Sequence, residues 1–506
     1  MNFSKILSLL SFLVVAPLDA QKLELSKAYN GMFYAKGIPY AKPPVNNLRW
    51  ASPVDENFEE DTTELDNYGF DCLAKTGALG GTSDPDEMNE DCLFLNIWTP
   101  STVKKYPVMF WIHGGGFTKG HGRLDGEVLA KYGVVVVSLN YRLGPLGFFA
   151  LPQNESDDPN YGLLDIISAL RWVKKYISLF GGDPENITIF GNSAGGLAAD
   201  LLINHPKAKN LFHRAIAQSS YLTGELSYMK KFSSDAPKRI NGNNAYVAEL
   251  EASKLLQRLG LEGTESLMQL RSIDANKIVK AQLRGLAPIV DGESVKLDSR
   301  ACIISSGCSV NLKSYMTGGT SWEGDFAQHI DNFLADNNVV LEKYNEDLAE
   351  VYPSDFALKE KTALARFLGD QYFLLSAKKN ASAHAKTNAI VYTYYLNFQV
   401  SRLEKYALGT PHGWDTGAIW WSPFSTDSLM IKAGAQLRAE WVRFAYGYPL
   451  EEDGSWSPWN EGQEYWQNFG DGDRDATSSI ATRLRFSENF YEKRKNSYFD
   501  GAKIIQ

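Results

Sequence analysis

The sequence is short of several things that mark function classes. It has only four cysteines and seven histidines in 506 residues, and its 51 basic side chains are outnumbered by 60 acidic ones. The resulting net charge of −9 argues against a nucleic-acid binder, which needs a basic face to neutralise phosphates. The densest basic run, Lys493-Arg494-Lys495, stands beside Glu492 and reads as solvated surface. No His-Glu-x-x-His motif or comparable ligand spacing occurs, so neither a metal nor another cofactor is expected. No fixed-period repeat or low-complexity linker divides the chain. Composition, at 44% hydrophobic and 22% charged, excludes disordered, collagen-like and coiled-coil classes.

No apolar run reaches the roughly 20 residues needed to span a bilayer. The best one, Ile6 to Leu18 after Lys5, is too short for that. With Ala20 offering a small residue for cleavage, it reads as a secretory signal peptide over residues 1–20, leaving residues 21–506 as one expected domain. The tail Ser497–Gln506 is too polar for a lipid-anchor signal and carries no ER-retention tetrapeptide. The expectation is a secreted protein, and four cysteines suit an oxidising compartment. They allow three pairings, of which Cys72–Cys92 with Cys302–Cys308 is the most local, and sequence alone does not choose among them. Sequons at Asn154, Asn186 and Asn380 are candidate glycosylation sites.

From Pro107 to Gln218 the pattern is β, β, α, β, α, β. Val108–Ile112, Val134–Val137, Ile187–Phe190 and Ala215–Ala217 are short runs apolar on both faces, as strands of a parallel sheet covered by helices require. Ile166, Leu170, Val173 and Ile177 recur at helix spacing, with Lys174 and Lys175 off that stripe. Such alternation predicts an α/β fold. The stretch Tyr221–Ala287 is more helical and more charged and reads as a cap over the sheet. Ile390–Tyr395 reads as a late strand and Leu429–Tyr446 as a helix with Trp441 and Phe444 inward.

Gly191-Asn192-Ser193-Ala194-Gly195 follows a predicted strand and opens a predicted helix. A G-x-S-x-G pattern alone is weak, but in this context it is a nucleophile elbow, a turn so tight that its flanking residues must be small. His113-Gly114-Gly115-Gly116 ends the earlier strand, and its glycines let backbone N–H groups approach a substrate oxygen. The expected oxyanion donors are Gly115, Gly116 and Ala194. A serine needs a base, and the base a carboxylate to orient it; in this fold class both follow the serine, acid first. His205 and His213 lie too close to the elbow, and His384 sits in a polar stretch and is expected to be solvated. His412, in a loop between Gly409 and Gly413, is the better base. For the acid, Glu323 competes with Asp325 and Asp291, and position alone does not decide.

Taken in order, further landmarks resemble one family closely. They are Gly37-Ile38-Pro39-Tyr40-Ala41, Glu90-Asp91-Cys92-Leu93-Phe94-Leu95-Asn96, the His113 glycine loop, Asn140-Tyr141-Arg142-Leu143-Gly144, Phe180-Gly181-Gly182-Asp183-Pro184 and the serine elbow. From about Tyr29 to Trp459 the chain is similar to type-B carboxylesterases, the cholinesterase-like branch of the α/β-hydrolases. The resemblance implies a large, mostly parallel central sheet flanked by helices, with helical cap insertions. It implies Ser193, Glu323 and His412 as nucleophile, acid and base, with oxyanion donors at Gly115, Gly116 and Ala194. It further implies a Cys72–Cys92 bridge and Ser219 as support for the acid. Three positions depart from the family. Asn192 stands where Glu is usual, Trp322 where Asp is usual, and the Cys72–Cys92 loop holds no tryptophan, so choline-ester specificity is not expected. The Cys302–Cys308 spacing has no counterpart in the family, and its plainer alternative is two free thiols. The expected activity is hydrolysis of small-molecule carboxylic esters through an acyl-enzyme. Its rivals are an inactive binding or adhesion protein, and an acyltransferase or amidase using the same triad.

Overall fold

The computed structural model describes Leu25 to Phe499 except residues 28–30, 59–64, 75–83, 151–157, 222–225, 235, 237–238, 264–265, 283–285, 297–311, 330–332, 399–407, 421–427, 451–455 and 461. The signal-peptide segment, the Asn154 sequon, Cys302 and Cys308 lie outside these residues.

The apolar runs form one ten-stranded sheet. Its strands are β1 (Ser26–Lys27), β2 (Phe33–Pro39), β3 (Phe94–Thr99), β4 (Tyr106–Ile112), β5 (Val135–Leu139), β6 (Gly182–Asn192), β7 (Arg214–Gln218), β8 (Ser314–Thr320), β9 (Ile390–Asn397) and β10 (Gln467–Gly470). Their spatial order is β1-β2-β3-β5-β4-β6-β7-β8-β9-β10. The first three pairings are antiparallel and the six from β5 to β10 are parallel. Successive side chains alternate between faces. Val108, Phe110 and Ile112 join one apolar cluster with Val135, Val137, Ile187 and Ile189. Met109 and Trp111 join another with Val136, Phe190 and Trp441. Both faces are therefore core, which is why these strands read as continuous apolar runs rather than as alternation.

Helix α1 (Tyr161–Tyr176) puts Ile166, Leu170 and Val173 into the first cluster. Lys174 bonds the Pro184 carbonyl and Glu185 at its rim. Its N-terminal half, Tyr161 to Leu170, is buried all round, more than an amphipathic stripe predicts. The cover is the predicted cap. Helices α3 (Ala248–Arg258), α4 (Leu267–Arg271) and α5 (Ala275–Lys280) follow α2 (Ala194–Asn204) in the chain. They pack Leu255, Leu256, Leu270 and Ile278 on Phe149 and Tyr161 in a separate cluster.

The cap is also pinned by polar contacts. The Asn160 carboxamide bonds both the N–H and the C=O of Ile289, as a neighbouring strand would. Next to it, the Ser294 hydroxyl lies between the buried carboxylates of Asp291 and Asp158. Burial pushes the Asp158 carboxyl up to about 6, against the Asn160 N–H and reinforced by the Asp291 charge. A raised carboxyl stabilises the fold only while it is protonated. Its contribution is complete below about pH 4 and is lost as pH rises through about 6, an effect on the order of 2–3 kcal/mol. Asp158→Asn is expected to raise Tm at pH 8 and leave it unchanged near pH 4. An equal shift at both values, measured by thermal unfolding, would contradict this origin.

Candidate active site

The elbow forms as its glycines dictate. β6 ends at Asn192, Ser193 takes φ 56 and ψ −119, and α2 starts at Ala194. A Cβ at Gly191 would lie 2.5 Å from the Ile112 carbonyl oxygen, and one at Gly195 would lie 2.0 Å from the same atom. Only glycines let the turn seat against β4. The backbone N–H groups that open α2 at the carboxyl end of the sheet suit a developing negative charge.

The glycine loop lies against the elbow. A Cβ at Gly114 would sit 3.4 Å from that of Ser193, and Gly115 and Gly116 adopt φ of 107 and 65. His113 braces this loop. Its ring stacks on Tyr141 at 4.3 Å, its Nδ1 meets the Gly114 carbonyl at 2.9 Å, and the Tyr141 hydroxyl donates to the His113 carbonyl. Burial holds the His113 ring near 3, so it is neutral and its Nδ1 carries the proton given to Gly114.

Of the three candidate acids, Glu323 is the one hydrogen-bonded to His412. One oxygen accepts from the Ser219 hydroxyl at 2.6 Å and the Thr320 N–H at 2.7 Å, and the other meets His412 Nδ1 at 2.5 Å. Ser219 reaches it from φ 46, just past β7, with its N–H on the Gly318 carbonyl. A Cβ at Gly319 would fall 2.5 Å from Glu323 Oε1, so the strand must be bare there. Asp291 belongs to the cap contact, and Asp325 acts on His412 through its charge. Burial alone would push the His412 ring down, but the Glu323 carboxylate, helped by Asp415 and Asp325, holds it above the ordinary imidazole value.

The His412 loop is clamped from both sides. Thr410 N–H donates to the Ser321 hydroxyl, Trp322 N–H donates to the Thr410 carbonyl, and the Thr410 hydroxyl bonds Phe398. Trp322 is fully buried under the Arg366 guanidinium, which lies 4.3 Å from its ring and is paired bidentately with Asp355. The departure at Trp322 thus replaces an acid with an anchor and leaves Glu323 in place.

Two expectations are corrected. His384 is buried, not solvated: it stacks on Tyr315 at 4.0 Å, and burial pushes its ring down to about 3. Asn380 cannot carry a glycan in this fold, because its Nδ2, the atom a glycan would occupy, is buried and donates to Asp200 at 2.7 Å. Asn186 is partly exposed, with its Oδ1 on Arg214. Cys72 and Cys92 are bonded to each other. In the chain-entropy account, closing a loop of this length contributes about 3 kcal/mol. Among the described residues no helix is long and apolar enough to cross a membrane.

Sequence reasoning missed two groups. Phe373 packs its ring 4.4 Å from that of His412, presented by a π-helical turn at Asp370–Leu374. The Asn192 carboxamide donates to Asp415 at 2.9 Å. The departure from Glu at position 192 marked that residue as unusual, but nothing local named its partner.

Known proteins share this fold. Residues 26–498 match the carboxylesterase family. The chain is 33% identical to a fumonisin B1 esterase of Sphingopyxis macrogoltabida over 387 residues, covering 71% of this chain and 66% of that protein. It is 31% identical to liver carboxylesterase 1F of Rattus norvegicus over 500 residues, covering 89% and 87%. Among solved structures, a thermophilic pNB esterase superposes with a TM-score of 0.74 at 27% identity, covering 90% of this chain and 97% of that one. The sheet, the elbow and these matches together mean that the chain belongs to the carboxylesterase family and is a carboxylic ester hydrolase of the α/β-hydrolase fold.

Proposed function

We propose that the protein is a secreted serine esterase working through a Ser193–His412–Glu323 triad. The observation that carries this reading is the seating of Glu323, whose oxygens are occupied by Ser219, Thr320 and His412 Nδ1. With Nδ1 committed as a donor, Nε2 is the ring nitrogen that can take a proton from Ser193. As Ser193 Oγ bonds to the ester carbonyl carbon, its proton passes to His412, and the oxyanion is received by the N–H groups of Gly115, Gly116 and Ala194. The imidazolium protonates the departing alcohol as the ester C–O bond breaks, leaving an acyl-serine. His412 then takes a proton from water, hydroxide adds to the acyl carbon, and Ser193 leaves with the proton returned. Each oxyanion donor contributes about 3–4 kcal/mol at the two tetrahedral stages. Secretion is supported by the apolar N-terminal segment and by the Cys72–Cys92 bridge, which suits an oxidising compartment.

The test is hydrolysis of p-nitrophenyl esters of graded acyl length, with organophosphonate labelling located by peptide mass. One label per chain, at Ser193, is expected. Absence of both turnover and label would favour a binding role. Products formed with competing alcohols or amide substrates distinguish hydrolysis from acyl transfer and amide cleavage.

The base must be neutral, so kcat/KM should rise with pH. Because the Glu323 charge holds the ring up, the midpoint of that rise is expected above the ordinary imidazole value of 6.5. A rate unchanged between about pH 5 and 8 would remove His412 from the role of base.

A further inference from the structure

Asp415 is a buried carboxylate that the triad does not use. It lies in the first turn of α8 (Trp414–Trp420, numbered after α6, Glu360–Gly369, and α7, Leu375–His384), three residues beyond His412. It is fully buried, and among the described residues its hydrogen-bond partners are neutral. Oδ1 accepts from Asn192 Nδ2 at 2.9 Å and from the Thr416 N–H at 2.9 Å, while Oδ2 accepts from the Tyr394 hydroxyl at 2.6 Å. Burial and the nearby Glu323 charge push the Asp415 carboxyl up, while the Tyr394 hydroxyl, the His412 charge and the Thr416 N–H favour its ionised form. An asparagine there would make the same contacts, with its oxygen on the two N–H donors and its amide facing the tyrosine oxygen. Hydrogen bonding therefore accounts for the shape of the site but not for its charge.

The partner at 192 is also informative. Asn192 directly precedes the nucleophile, and a Cβ on Gly413 would lie 3.6 Å from its Oδ1. The amide thus ties the elbow to the loop that carries the base, and it brings no charge of its own. Where the family usually has an acid, this chain has a donor, so the pair Asn192–Asp415 holds a single carboxylate.

We infer that Asp415, held between the Asn192 carboxamide and the Tyr394 hydroxyl, is a positioning residue that fixes the Ser193 turn to the His412 loop and supplies a second negative charge near the imidazole. The inference rests on the triad proposed above. The ionisable groups facing His412 are Glu323, Asp415 and Asp325, and those facing Asp415 are Tyr394, Glu323 and His412. Removing the charge at 415 leaves His412 with less to stabilise its protonated form, in the resting enzyme and in the transition state alike. Loss of the Asn192 tie acts on geometry instead.

The experiment is a pH–rate profile of Asp415→Asn, Tyr394→Phe and Asn192→Ala, with rates normalised to organophosphonate-titrated sites. Asp415→Asn is expected to lower kcat about tenfold with KM little changed, and to move the acid limb down by about half a pH unit or more. Tyr394→Phe is expected to move the limb the same way by less, since Asp415 loses a donor that favours its ionised form. Asn192→Ala is expected to lower kcat with the limb nearly in place. If Asp415→Asn and Tyr394→Phe both titrate fully and keep the wild-type limb, the charge has no role and the inference is overturned. Should Asp415→Asn not fold, Tyr394→Phe carries the same test. Failure of the triad reading would look different, because the wild-type enzyme would then take no label at Ser193.

Discussion

Ser193→Ala is expected to lower kcat on a soluble ester by about 10⁶-fold, leaving only the residual catalysis that binding and oxyanion donors supply. It is expected to leave Tm and circular dichroism unchanged. The two halves of this expectation have separate causes. The unusual backbone of residue 193, φ 56 and ψ −119, is imposed by its neighbours: the bare α-carbons of Gly191 and Gly195 let the turn press on β4, and the Ser193 N–H is held by the Gln218 carbonyl at 2.8 Å. Alanine in that conformation carries the same Cβ as serine and is no more strained, so the fold has no reason to respond. Chemistry loses everything, because His412 has no proton to take and no oxygen to activate. The measurements are kcat in a preparation free of wild-type enzyme, organophosphonate incorporation by mass, and a melting curve. Activity within tenfold of wild type would remove Ser193 from the reaction. A folded variant that neither turns over nor takes the label is the expected outcome.

What the sequence makes legible is what is local. The strand at Val108–Ile112, the elbow at Gly191–Gly195 and the stripe on α1 each declare themselves within a few residues, and the structure forms all three. Which carboxylate meets His412 was not legible in this way. Glu323, Asp325 and Asp291 differ neither in type nor in spacing enough to choose among them. What separates them is the Ser219 hydroxyl and the Thr320 N–H converging on Glu323, and Ser219 is 104 residues distant. The same holds for Asp415, which meets Asn192 across 223 residues. His384 was misread for a related reason. Its sequence neighbours Lys378, Lys379 and Lys386 are polar, yet the helix that carries it, Leu375–His384, turns the imidazole onto Tyr315 of β8 and away from water. Polarity of a short window reports the exposed face of a helix and is silent on which residue looks inward. The sequon at Asn380 fails likewise, since the motif encodes an acceptor sequence but not whether the acceptor nitrogen is already bonded inside the core.

Glu323→Gln is expected to cost about 10⁴ in kcat while leaving the site assembled. Glutamine has the same shape, and its carbonyl oxygen can keep the bonds from the Ser219 hydroxyl and the Thr320 N–H. That choice leaves its amide facing His412 Nδ1. An amide donates, so Nδ1 must become the acceptor and the imidazole proton moves to Nε2, the nitrogen that should be receiving the proton of Ser193. The ring is in place but in the wrong tautomer. The charge is lost as well. Burial then pushes the His412 ring down with only Asp415 and Asp325 to oppose it, so the acid limb should fall while the plateau rate collapses. The two effects can be told apart. A limb that moves with little loss of rate would mean that Glu323 acts only through its charge, and a loss of rate with the limb unmoved would mean that it acts only by orienting the ring. Unlike Ser193→Ala, this variant keeps its nucleophile, so organophosphonate should still label Ser193, only more slowly. Labelling at the wild-type rate, with turnover within tenfold of wild type, would hand the role of acid to another carboxylate. Asp325, which already faces His412, would be the first to substitute next.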